Sequence, residues 1–223
     1  MARVIAIDGP SGAGKSSVSR IVGKKLGFLH VDSGALYRIM TWQALVRKVD
    51  TDNPEAVAAF APTVDIECRP ENGAIAYYVG GEPPGERIRT PEINAHASQV
   101  ATVKEVRDRI TAILRGMTAH GNLVVEGRDI TTAVFPDSPA RFYLTASAEA
   151  RAARRQKEEV EKGIANQSAA AVKASLLARD AIDSTRKYAP LRKADGAIEI
   201  DSSDLTLEQV VDIVLEKIHE TFD

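Results

Sequence analysis

The sequence predicts an α/β protein: a parallel five-stranded sheet flanked by helices, with a small antiparallel β insertion and a helical lid. Three observations predict it. Apolar runs of strand length alternate with helix-length segments, the pattern of βαβ units. A glycine-rich loop, residues 9–17 (GPSGAGKSS), stands between the first strand and the first helix. One stretch, 63–90, breaks the alternation with hairpin-like patterning.

Residues 3–8 (RVIAID) read as a buried strand that the loop ends. The helix that follows runs to Gly27, a natural C-terminal stop. Residues 28–32 form a second strand, and 34–49 a helix with Leu36, Ile39, Met40 and Leu45 near one face. Trp42 is a packing residue. In the insertion, Val64, Ile66 and Cys68 alternate, RPENG (69–73) reads as a turn, and 74–79 alternates weakly before a loop-like stretch. Helices return at 91–102 and 103–121. Residues 122–127 and 140–146 are buried strands, and a highly charged helix from 147 ends at Gly163. Another helix spans about 168–185, and 197–201 is the last strand. Thr206 and Gln209 have capping-box spacing at the start of the final helix. Its packing face is Leu207, Val210, Val211, Val214, Leu215 and Ile218. Domain boundaries follow: a core of 1–62, 91–150 and 168–223, the insertion 63–90, and a lid at 151–167.

Composition narrows the function. The chain has 223 residues, 44% hydrophobic, with 29 Lys+Arg against 31 Asp+Glu. No basic excess argues for binding nucleic acid or a membrane surface. One cysteine, Cys68, excludes an internal disulfide and fits a reducing, cytoplasmic compartment. The apolar stretch VIAI near the start is too short for a secretory h-region, so no signal peptide is expected, and no apolar run in the sequence has membrane length. The four histidines show no metal-ligand spacing. No oligomer seam is evident, so a monomer is the default expectation.

The loop carries Gly9-x-x-x-x-Gly14-Lys15-Ser16, the phosphate-binding pattern. Its backbone N–H groups, from Gly9, Pro10 (which has none), Ser11, Gly12, Ala13 and Gly14 onward, can surround ATP phosphates. Lys15 adds a charge on the β and γ phosphates. Ser16 can bind Mg²⁺, with Ser17 as the alternative. In an open α/β sheet, ligands sit at the C-terminal strand edge, where Asp32, Glu126 and Asp201 also fall. The motifs of GTPase switches, Asp-x-x-Gly and Asn-Lys-x-Asp, are absent. A small-molecule kinase needs cations on both reactants, and arginines supply them. Arg151 and Arg155 are four apart on one helical face, with Arg154 between them. Arg38, Arg107, Arg128, Arg179 and Arg186 stand near strand ends or helix starts.

DGPSGAGKSS, DSGALYR, NAHASQVA, EGRDITTAVFP, RD..DSTR..APL and IDSSDLTLEQVV occur in that order. In these segments the chain resembles the bacterial cytidylate kinases over essentially its whole length. The resemblance implies a P-loop nucleoside-monophosphate-kinase-like fold and transfer of the γ-phosphoryl group of ATP to CMP or dCMP with Mg²⁺. It implies that Ser33, Tyr37, Arg38, Arg128 and Arg186 surround the CMP phosphate. By the same resemblance, Ser98, Arg107 and Asp129 read cytosine, and Arg179 and Asp183 hold the ribose hydroxyls. It makes 63–90 the CMP-binding subdomain. Lys15, Arg128, Arg151, Arg155 and Arg186 form the catalytic set, the two lid arginines reaching the phosphates only on closure. The chain departs from the family where Thr131 replaces a frequent glycine. A β-branched residue there narrows backbone freedom and is expected to shift the loop. Relatives often carry Gly-Thr where Ser16-Ser17 stand. Within enzymes, a kinase of UMP or of a hydroxylated metabolite is the alternative.

Overall fold

The computed structural model describes residues 2–161 and 168–222. In chain order the elements are β1 (Val4–Asp8), α1 (Lys15–Leu26), β2 (Leu29–Asp32), α2 (Ser33–Val46), α3 (Pro54–Phe60), β3 (Glu67–Glu71) and β4 (Ala74–Tyr78). Then come α4 (Pro91–Val100), α5 (Lys104–Gly116), β5 (Leu123–Gly127), β6 (Ala140–Thr145), α6 (Ala148–Glu161), α7 (Ala169–Thr185), β7 (Ile198–Asp201) and α8 (Leu207–Phe222).

The strands form one seven-stranded sheet in the order β3-β4-β2-β5-β1-β6-β7. The five expected strands are mutually parallel, with β1 between β5 and β6. Every residue of β1 and β5 is buried, which is why both read as unbroken apolar runs. Side chains alternate between two cores. Val4 and Ala6 face the layer of α2 and α5, with Leu36, Ile39, Ile110 and Leu114. Ile5 and Ile7 face the layer of α1 and α8, with Val18, Val22, Val211 and Val214. Of the predicted α8 face, Val210, Val211, Val214 and Ile218 are buried, whereas Leu207 is exposed.

The sheet has seven strands rather than five because the insertion joins it. Ala74 of β4 pairs parallel with His30 of β2. His30 N donates to Gly73 O at 3.0 Å, and Tyr77 Oη donates to Asp32 O at 3.0 Å. The turn is also shorter than 69–73. Asn72 (φ 49°) and Gly73 (φ 78°) make a two-residue hairpin turn, so Arg69, Pro70 and Glu71 lie in β3. Pro70 is tolerated because β3 is an edge strand. Val64 is buried but precedes the strand.

Helix α3 was not expected. The Asn53 side chain accepts from Glu55 N and Ala56 N, and Pro54 occupies the first turn. That cap-proline pair was the available signal. Elsewhere the local rules hold. Thr206 N donates to Gln209 Oε1 at 2.8 Å and Gln209 N to Thr206 Oγ1 at 3.2 Å, a closed capping box. Gly27 ends α1 in the left-handed region. Helices α6 and α7 pack on a small apolar cluster of their own, Ala152, Val172 and Leu176, apart from both main cores. The expected stop at Gly163 and the end of the lid lie outside the described residues.

Candidate active site

Burial of β1 fixes Asp8 at the C-terminal edge of the sheet, and the glycine loop leaves from there. Gly9 adopts φ +149°, and a Cβ on it would lie 2.0 Å from Leu144 O in β6. Gly9→Ala is therefore expected to destabilise the fold by about 3 kcal/mol or more. Urea unfolding checks this, and an unchanged midpoint would contradict it. Lys15 opens α1, is nearly fully buried, and its Nζ donates to Pro10 O at 2.8 Å. Burial, followed by repulsion from Arg128, pulls its pKa down to about 7, against attraction from Glu126, Asp8 and Asp180. Ser16 and Ser17 are both exposed at the start of α1, and neither hydroxyl has a hydrogen-bond partner among the described residues. A free hydroxyl beside Lys15 suits an Mg²⁺ ion that travels with a nucleotide.

Around this loop stand arginines from four elements. Arg38 comes from α2, Arg128 follows β5, Arg155 comes from α6 and Arg179 from α7. Burial, then repulsion from Arg128 and Arg38, lowers the Arg179 pKa to about 10. Arg38 is lowered by burial, with Asp32 opposing and Arg89, Arg128 and Arg155 adding repulsion. Arg179 Nε is buried without a hydrogen-bond partner among the described residues. Arg128 Nε lies 3.3 Å from Asp183 Oδ2. Arg155 is held on its own helix by Glu159 at 3.0 Å and Glu158 at 3.1 Å. A cleft of about 310 Å³, open to solvent, runs between α4, α6 and α7, lined by Ser98, Arg155 and Arg179 among others.

A second, drier knot lies behind the arginines. Arg107 pairs with Asp129, and both are buried. Arg107 also donates to Ala101 O at 3.0 Å and stacks 5.4 Å from the centre of the Tyr37 ring. Arg186 lies 3.7 Å from Asp129 Oδ1 and donates to Asp183 Oδ1 at 3.3 Å. It also donates to the carbonyl of Ala189, which holds a left-handed φ of 45°. Ser33 Oγ donates to Glu126 O at 2.6 Å.

The structure thus gathers Lys15, Arg38, Arg128, Arg155 and Arg179 about one space. Asp129 and Arg107 bind each other rather than facing open solvent. Arg151 Nη1 donates to Ser11 O at 3.0 Å and pairs with Asp180, so this side chain touches the phosphate loop itself. The reason is its place near the start of α6, where it is buried against the loop. Arg154 donates to Ser202 and faces away from the cluster. Sequence reasoning missed Asp180, whose Oδ1 also accepts from Ser11 N at 3.1 Å. It also missed Asp8 and the buried His30–Glu126 contact at 3.2 Å. Asp180 stands beside Arg179 in the quoted RD segment, and Asp8 directly precedes the glycine loop. Thr131 is fully buried and hydrogen-bonded to Asp8.

Known proteins resemble this chain over nearly its whole length. A family model described as cytidylate kinase matches residues 5–220. A cytidylate kinase of Streptomyces griseus is 46% identical over 214 residues, covering 95% of this chain and 90% of its own. One from Clostridioides difficile is 41% identical, covering 97% and 98%. A solved structure of an uncharacterized protein from Eubacterium ventriosum has the same fold, with a TM-score of 0.55 at 12% identity and 99% coverage of both chains. On sequence match over nearly its full length and on a phosphate loop faced by arginines, this chain belongs to the cytidylate kinase family.

Proposed function

We propose that the protein transfers the γ-phosphoryl group of ATP to CMP or dCMP, giving ADP and CDP or dCDP. The observation that carries the reading is the convergence of Arg38, Arg128, Arg155 and Arg179 with Lys15: burial first, then repulsion from neighbouring arginines, lowers the pKa values of Lys15, Arg38 and Arg179. Such a cluster is unfavourable until phosphates neutralise it. Two nucleotides end to end supply that charge.

Phosphoryl transfer is mainly positioning and charge neutralisation. The glycine loop and Lys15 hold the donor phosphates. Arg38 and Arg128 hold the acceptor phosphate, whose oxygen forms a bond to γ-phosphorus as the bond to the bridging β–γ oxygen breaks. That acceptor is already ionised at neutral pH, so no protein base is required. Ser16 would hold Mg²⁺, which supplies charge neutralisation on the transferring group. Helix α6 carries Arg151 and Arg155, and the small core it shares with α7, separate from the main cores, suits a lid that excludes water. Residues 63–90 act as the CMP-binding subdomain and 151–167 as the lid. Arg107, Asp129 and Ser98 serve cytosine, and Asp183 with Arg179 the ribose hydroxyls. Ser33 and Tyr37, with Arg186, frame the acceptor phosphate site. A cytoplasmic monomer completes the reading; the single, half-buried Cys68 fits a reducing compartment.

The test is ADP release with each nucleoside monophosphate and with none. Strong CMP dependence supports the reading. Preference for UMP would move the acceptor, and equal release without acceptor would indicate an ATPase. A finer prediction concerns Arg151. Arg151→Ala is expected to lower kcat by roughly 10²-fold and leave CMP affinity nearly intact, with Lys rescuing only in part. Loss of CMP binding at unchanged kcat would contradict it.

A further inference from the structure

The loop after β5 carries Arg128 and Asp129, and one carboxylate from another strand holds it. Asp8, the last residue of β1, is wholly buried. Its Oδ1 accepts from Ile130 N at 2.8 Å. Its Oδ2 accepts from Thr131 N at 2.7 Å and from Thr131 Oγ1 at 2.6 Å. The loop then makes one wide turn, with Val134 N donating to Asp129 O at 3.2 Å and Phe135 N to Ile130 O at 2.7 Å. Asp8 also precedes Gly9, so the same residue begins the phosphate loop.

We propose that Asp8 and Thr131 are positioning residues whose three hydrogen bonds set the acceptor loop, with Arg128 and Asp129, at a fixed offset from the phosphate loop. The proposal rests on the kinase reading above for its consequences in catalysis. An ionised carboxylate is needed because both of its oxygens face N–H donors. An amide would turn an NH₂ toward one of them, leaving two donors opposed. The Thr131 hydroxyl is what this chain adds. A glycine there would keep the backbone bond and lose the third.

The charged and titratable groups around Asp8 are Lys15 from α1, Glu126 in β5, Arg128 and Asp129 in the loop, and Tyr143 from β6. Burial raises the Asp8 pKa to about 6, opposed first by the Thr131 side-chain bond. Below that pH the carboxyl gains a proton and loses acceptor capacity. Removing the hydroxyl removes a bond to the charged form, so the pKa rises further and the loop loosens at a higher pH.

Thr131→Val keeps the volume and the backbone N–H, and Thr131→Ser keeps the hydroxyl. For the valine variant, kcat/KM for CMP at pH 7 is expected to fall about tenfold while KM for ATP changes less than about twofold. Its acid limb should move up by about one pH unit. The CMP phosphate also titrates near pH 6. That ionisation is common to all variants and cancels in the comparison. The serine variant should match wild type. Amide hydrogen exchange gives a readout independent of substrate: residues 130 and 131 should lose protection in the valine variant and β1 should not. A valine variant with wild-type exchange and pH profile would overturn the proposal, as would a serine variant as impaired as valine. If wild type ignores CMP yet the exchange result holds, the substrate reading fails and the loop anchor stands.

Discussion

Lys15→Ala is expected to lower kcat by roughly 10²–10⁴, the effect of losing one preorganised charge on a transferring phosphate. The fold should survive. Lys15 is buried, but among the described residues its ammonium makes one hydrogen bond, to Pro10 O, and repulsion from Arg128 is set against attraction from Glu126, Asp8 and Asp180. Removing a charge that burial and a neighbour both disfavour costs little stability. Thermal unfolding and single-turnover ADP formation together check this. A folded variant that turns over at a normal rate would remove Lys15 from the mechanism.

The second large effect is at Asp129. Cytosine offers an amino donor at N4 and an acceptor at N3, and uracil reverses both. A carboxylate only accepts and a guanidinium only donates, so an Asp129–Arg107 pair suits cytosine. A polar pair matched in this way can reject the wrong base by up to roughly 10⁴–10⁵. In the structure the two side chains bind each other, with Arg186 Nη2 3.7 Å from the other carboxylate oxygen. Asp129 therefore has two tasks. Asp129→Ala would leave the buried Arg107 guanidinium without its counter-charge and Arg186 with Asp183 alone, at about 3–5 kcal/mol. Asp129→Asn keeps the volume and one acceptor and is the cleaner probe. Its kcat/KM ratio for CMP over UMP is expected to fall at least tenfold, mainly through loss of CMP activity. Equal losses for both substrates would make Asp129 purely structural and place base reading elsewhere.

Much of this protein is legible from local sequence. Strands β1 and β5 announce themselves as apolar runs because both of their faces are covered. The phosphate loop is legible because Gly9 and Gly14 sit where backbone geometry admits little else. The capping box at Thr206 and Gln209 is a contact between residues three apart, so spacing alone finds it. Helix α3 carries a local signal of the same kind in Asn53-Pro54.

What the tertiary structure decided involves partners far apart in sequence. That the hairpin joins the sheet depends on His30 meeting Ala74, a register that no pattern within 63–90 encodes. That Arg151 rests on Ser11 depends on Asp180, 29 residues further on. Asp8 reads as the last residue of a strand, and only folding brings it to Thr131, 123 positions away, where its two oxygens meet three donors. Sequence periodicity reports which side of an element is apolar. Which buried charge meets which is set by how the layers stack, because a desolvated carboxylate must find donors wherever the packing supplies them.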